Sequence, residues 1–231
     1  MTQLLISVKN VAEALIVKSA DVDIIDLKDP SIGALGALSV DEISRIVHEV
    51  EGAALISATV GEGHDSVGAL VSDIKLYASL GVDVVKIAVS DLFQQQNFFA
   101  EMRQLTSTNI KIVAIFFANK ELDLSLIPIL KKSGFYGAML DTDVKKNSLL
   151  DVQSKTQLKN FIALSHQHQL VSGLAGSVNK SQLNTLLNLQ PTFVGLRGGV
   201  CEGENRVSAL SCSKVMQIKA MLLNYNIIYR N

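Results

Sequence analysis

Residues 23–50 read DIIDLKDPSIGALGALSVDEISRIVHEV, and this stretch sets the pattern for the whole chain. It begins with a short aliphatic run, Asp23–Lys28. It ends with a segment of helical period that opens at Ser39. Ser39, with Glu42 three residues later, fits a capping box. The stretch therefore predicts one strand–loop–helix unit.

The same unit recurs outward in both directions. Before it, Leu4–Val8 reads as a strand and Val11–Ala20 as a helix. After it, strands are predicted at Ala54–Val60, Val84–Val89, Ile110–Phe117, Gly137–Asp141, Leu170–Gly176 and Phe193–Arg197. The intervening helices are predicted near Val67–Leu80, Leu92–Leu105, Leu124–Lys132, Lys155–His168, Lys180–Leu189 and Ser208–Leu223. Alternating strands and helices imply right-handed crossovers and a parallel sheet. Eight units of about 28 residues suit an α/β fold of one kind, a single (β/α)8 TIM barrel spanning residues 1–231 as one domain. An open doubly wound sheet lacks support, because KNVAEA follows the first strand in place of a glycine-rich fingerprint.

Composition agrees. Of the 231 residues, 48 % are hydrophobic but only 5 % aromatic, so the excess is aliphatic, as strands buried on both faces require. The 21 basic and 22 acidic residues give a net charge of −1, with no basic excess for nucleic-acid backbones. No run approaches the ~18 apolar residues of a membrane span, and MTQLLISVKN does not read as a signal peptide. Two cysteines, Cys201 and Cys212, make no disulfide framework. A cytoplasmic protein without nucleic-acid or membrane partners is the expectation.

In a barrel of this kind the chemistry sits at the C-terminal strand ends. Alternation places Ile25 and Leu27 toward the helices and Asp26 and Lys28 inward. On the fourth strand, Val85, Ile87 and Val89 take the outer face and Lys86 the inner one. An interior lysine is costly unless it is paired, with Asp26 a candidate partner, or functional. Burial and a neighbouring cation lower a lysine's pKa, which supplies the neutral amine for Schiff-base chemistry or proton transfer. Asp141 ends the sixth strand, and Lys145 follows four residues later.

The last two strand ends are glycine-rich, SGLAGSVNK and GLRGGVCEG. Loops there bind phosphate in many barrels through backbone N–H groups. Gly176, Ser177, Gly198 and Gly199 are the candidate donors, and Arg197 adds a charge or pairs with a carboxylate. Glu62 and His64 lie beside the predicted mouth. Cys201 reads as a small buried hydrophobe. No residue set has metal-ligand spacing and no Walker loop is present, so neither metal nor cofactor is expected.

IIDLKDPSIGALGA, SATVGEG, VVKIAV, AMLDTDVK, LAGSV and VGLRGGVC occur in that order across nearly the whole chain. Together they resemble the (5-formylfuran-3-yl)methyl phosphate synthase family. The resemblance implies a barrel that converts two glyceraldehyde 3-phosphate molecules into one furan aldehyde phosphate, a precursor of methanofuran-type cofactors. It implies a Schiff-base lysine at Lys28, a proton-transferring lysine at Lys86, and a catalytic aspartate and lysine at Asp141 and Lys145. Asp26, Gly176, Ser177, Arg197, Gly198 and Gly199 are then the substrate- and phosphate-binding set. Ala88 and the KNSLL segment after Lys145 depart from the family's glycine pattern. Three other readings stay open. One is a class I aldolase acting on triose phosphates. Another is a decarboxylase-type barrel, although Ser31 stands where its Asp-x-Lys-x-x-Asp motif needs an acid. The third is a non-catalytic barrel that binds a phosphorylated ligand. The aliphatic helix faces are compatible with a homo-oligomer.

Overall fold

The computed structural model describes residues 1–143 and 147–228. Eight parallel strands close into a barrel in chain order, and the last pairs with the first. They are β1 (Gln3–Val8), β2 (Ile24–Leu27), β3 (Leu55–Thr59), β4 (Val84–Ala88), β5 (Lys111–Phe117), β6 (Gly137–Asp141), β7 (Val171–Leu174) and β8 (Phe193–Leu196). Each lies within its predicted segment or within a residue of it. The helices are α1 (Val11–Ser19), α2 (Val40–Val50), α3 (Val67–Ser79), α4 (Phe98–Thr106), α5 (Leu126–Lys132), α6 (Leu149–Val152), α7 (Lys155–Gln167), α8 (Lys180–Leu187) and α9 (Cys212–Ile228).

Four local expectations are corrected. The helix predicted near Leu92–Leu105 is split into a 3₁₀ turn, Asp91–Gln94, and α4. Polar residues Gln95–Asn97 interrupt it, and Phe93 stacks on Phe98 at 4.2 Å to join the pieces. The final helix starts at Cys212 instead of Ser208, because Leu210 is held in an antiparallel bridge with Cys201. The single turn α6 was not expected; Ser148 and Asp151 cap it reciprocally. At α2, Ser39 accepts the Glu42 N–H at 3.3 Å, but only half of the capping box forms. The Glu42 carboxylate turns away to accept the Val11 N–H at 2.8 Å and pairs with Arg45.

The strands are buried on both faces. Outward residues Ile25, Leu27, Val85 and Ile87 join the helices in one large apolar core. Inward residues Leu5, Ile24, Val84, Val113, Ile115, Met139 and Phe193 fill the barrel interior. Each such side chain contributes about 2 kcal/mol on burial. The aliphatic excess is therefore divided between two cores. Among the described residues, no helix is long and apolar enough to cross a membrane.

Candidate active site

A cavity of about 360 Å³ opens at the C-terminal ends of the strands. Its floor is polar because of strand register. Ser7, Asp26 and Ser57 are direct neighbours on β1, β2 and β3. Asp26 is 1 % exposed. Its Oδ2 accepts the Ser7 hydroxyl and its Oδ1 the Ser57 hydroxyl, both at 2.8 Å. Lys86 Nζ lies 2.6 Å from Asp26 Oδ1. Burial pushes the Lys86 ammonium below its ordinary pKa; Asp26 opposes this, and the nearby Lys28 charge adds to it.

Lys28 follows directly on β2, its N–H donating to the Val8 carbonyl at 3.0 Å. Its Nζ lies 3.3 Å from Oδ2 of Asp141, at the tip of β6. Oδ1 of Asp141 accepts the Thr142 N–H at 2.7 Å. Two lysine–aspartate pairs therefore face one cavity, drawn from strands β2, β4 and β6. Asp26 takes Lys86 as its partner, leaving Lys28 to Asp141. Lys145 lies outside the described residues.

The glycine-rich loops after β7 and β8 meet along one wall, where Gly176, Ser177, Gly198 and Gly199 all line the cavity. Among the described residues, none of their N–H groups donates to a loop or turn carbonyl. Two of the glycines are required by the backbone. Gly176 has φ +115°, and a Cβ there would meet Thr142 at 2.9 Å. A Cβ on Gly199 would stand 2.6 Å from the Val178 carbonyl oxygen, so the two loops touch only because it is absent.

Arg197 needs a correction. It lines the cavity, but its guanidinium is fully engaged by the protein. Nε donates to the Arg206 carbonyl, Nη1 to the Ser7 carbonyl, and Nη2 to the Ser208 carbonyl, at 2.8–3.0 Å. Nη1 and Nη2 also grip the buried Glu13 carboxylate at 2.5 and 3.1 Å. That accounts for every N–H donor an arginine has. Of the two expected roles, pairing with a carboxylate is the one the geometry contains. Its donors are not available to a phosphate.

The sequence reading missed Glu13 and Arg206. Glu13, on α1, also accepts the Lys9 N–H and is 3 % exposed. Nothing local marks it, because its partner is 184 residues away. Arg206 reaches the cavity from the loop before α9. Its place in the long glycine-containing segment after Arg197 was the available signal.

Glu62 and His64 line a separate depression beside the mouth. Glu62 accepts the Leu35 N–H at 3.0 Å, and His64 pairs with Asp73 at 2.9 Å. Cys201 is fully buried, its Sγ facing the Arg197 carbonyl at 3.2 Å, and burial pushes its thiol pKa up. Among the described residues, no group of three or more His, Cys, Asp or Glu side chains is placed to hold a metal. The site can present amines to a carbonyl and carboxylates to a proton in transit.

Comparison with known proteins places the chain in a family. The family model described as 4-HFC-P synthase matches residues 4–219. A Methylorubrum extorquens protein is 36 % identical, with 95 % of this chain and 91 % of that protein aligned; it carries the name (5-formylfuran-3-yl)methyl phosphate synthase provisionally. The (5-formylfuran-3-yl)methyl phosphate synthase of Methanocaldococcus jannaschii is 31 % identical over 88 % of this chain and 92 % of its own. The barrel resembles that of 3-hexulose-6-phosphate synthase from Salmonella typhimurium, with a TM-score of 0.67 and 15 % identity. That match covers 95 % of this chain and 99 % of the other, a likeness of fold.

Proposed function

This chain belongs to the 4-HFC-P synthase family, and on that premise we propose that it joins two glyceraldehyde 3-phosphate molecules into (5-formylfuran-3-yl)methyl phosphate. One phosphoric acid and two waters leave. Carbon is conserved, since two three-carbon units give six carbons. The conversion is redox-neutral, so proton transfers, an aldol-type addition, ring closure and eliminations suffice.

Lys28 is assigned as the nucleophile. Its neutral amine attacks a triose carbonyl carbon, water departs, and an iminium forms. The iminium draws electrons from the adjacent carbon, so a proton there can be removed and a carbon–carbon bond formed. Lys86, whose ammonium is weakened by burial, moves protons at the carbons beside the iminium. Asp141 holds Lys28 in place and passes protons with Lys145. The glycine-rich loops take the phosphate that the product retains.

The observation that carries this reading is the convergence of two ion-paired lysines on one cavity. A simple binding site rarely needs two interior lysines, each with its own carboxylate. Incubation with glyceraldehyde 3-phosphate alone tests it. Furan absorbance should rise with one phosphate released per furan. Accumulation of a sugar bisphosphate without phosphate release would make the enzyme a class I aldolase. No consumption of the triose would leave a phosphorylated-ligand-binding barrel.

A further inference from the structure

Four cationic side chains line the cavity among the described residues: Lys28, Lys86, Arg197 and Arg206. Three are neutralised on contact. Lys28 faces Asp141, Lys86 faces Asp26, and Arg197 is locked to Glu13. Arg206 differs. Its protein bonds run from Nη2 to two neutral acceptors, the carbonyls of Pro30 and of Gly33, the latter at 2.6 Å. Among the described residues, Nε and Nη1 donate to no acceptor and no carboxylate stands within ion-pair distance. The side chain is half-buried, so this charge is only partly bathed by water.

Its position matters as much as its charge. Arg206 lies beside the β8 glycine turn: a Cβ on Gly198 would fall 3.8 Å from the Arg206 Cβ. Its Nη2 bonds reach across to Pro30 and Gly33, on the loop that begins at Lys28. The guanidinium therefore spans the gap between the glycine wall and the proposed nucleophile. A planar fork with donors to spare is the arrangement that binds a phosphate oxygen pair.

We propose that Arg206, and not Arg197, is the guanidinium that receives a phosphate monoester in this cavity. It thereby sets the preference for phosphorylated over unphosphorylated aldehydes. The inference rests on the triose phosphate reading for the identity of the substrate. It does not rest on it for the presence of the anion site.

The test uses Arg206→Gln and Arg206→Lys in the full chain, with folding checked by circular dichroism. Inorganic phosphate binding is measured by calorimetry. Arg206→Gln should weaken it by about tenfold or more, the loss expected for a charge-assisted hydrogen-bond pair, with Arg206→Lys in between. Borohydride trapping is then timed with glyceraldehyde 3-phosphate and with glyceraldehyde. Arg206→Gln should slow the first and leave the second unchanged. A role confined to holding the Pro30–Gly33 loop would slow both aldehydes equally and overturn the proposal. So would unchanged phosphate affinity in Arg206→Gln, or an absence of phosphate binding by the wild type. If neither aldehyde is trapped by any form, the Schiff-base reading fails, and phosphate affinity alone decides Arg206.

Discussion

Lys86 Nζ stands 2.6 Å from Oδ1 of Asp26, with both side chains almost wholly out of water. Breaking such a pair from one side strands the other charge. Here Asp26 keeps two hydroxyl donors, Ser7 and Ser57, when Lys86 is removed. Lys86→Ala is therefore expected to fold, with a stability loss of about 3 kcal/mol. Turnover should fall by about a hundredfold or more, the usual loss for a general acid–base group. Circular dichroism and furan formation check the two halves. Retained furan formation would exclude Lys86 from proton transfer.

The same pair sets a pH dependence of stability. Burial lowers the Lys86 pKa below 10.5, so the folded chain holds that proton less tightly than the unfolded chain. Between the lowered value and 10.5 the unfolded state binds more protons, and stability rises with pH. Lys86 therefore weakens the fold below its folded pKa, and the penalty fades as pH climbs toward 10.5. Urea unfolding of the wild type and of Asp26→Asn/Lys86→Met across alkaline pH measures it. The wild type should gain on the double variant as pH rises, below the onset of general alkaline unfolding.

Arg197 and Arg206 should separate by experiment. Glu13→Gln leaves the Arg197 charge buried without its counter-ion, at a cost of about 3 kcal/mol. In a chain of this size that lowers Tm by about 6–12 °C. Arg206→Gln removes a half-exposed group bonded to two carbonyls and should lower Tm by only about 2–4 °C. Differential scanning of the two variants settles the assignment. Equal losses would mean that Arg206 is structural in the same sense as Arg197.

The glycine wall gives a further contrast. Gly199→Ala pushes a methyl to 2.6 Å from the Val178 carbonyl oxygen, against backbone that has no flexible end to yield. It should separate the two loops and raise KM for the triose phosphate at least about tenfold. Gly203→Ala meets nothing within 4 Å and suffers only from φ +61°, a cost of about 1–2 kcal/mol. Its KM should stay near that of the wild type. Steady-state kinetics of both variants is the check.

The eight strands and the inward direction of Asp26, Lys28 and Lys86 were legible in the sequence. A period of two with aliphatic partners leaves little freedom once one face is assigned. Asp141 was legible as a strand tip. The pairing was not: which aspartate takes which lysine depends on the reach across the barrel from β2 to β4 and from β2 to β6. Arg197 looked like a ligand because its neighbours are glycines. Its partner Glu13 sits on the first helix, where nothing in the local pattern marks a buried acid. The break before α4 was hidden by Leu92 and Phe93 on one side of Gln94–Asn97 and Phe98 and Phe99 on the other.

The proposed chemistry turns on Lys28 carrying the substrate as a Schiff base. Borohydride reduction in the presence of glyceraldehyde 3-phosphate, followed by peptide mass mapping, reads that adduct. The expected result is a reduced triose adduct on the peptide containing Lys28, lost in Lys28→Arg. An adduct confined to Lys86 or Lys145, or no adduct in an enzyme that still forms the furan, would contradict it.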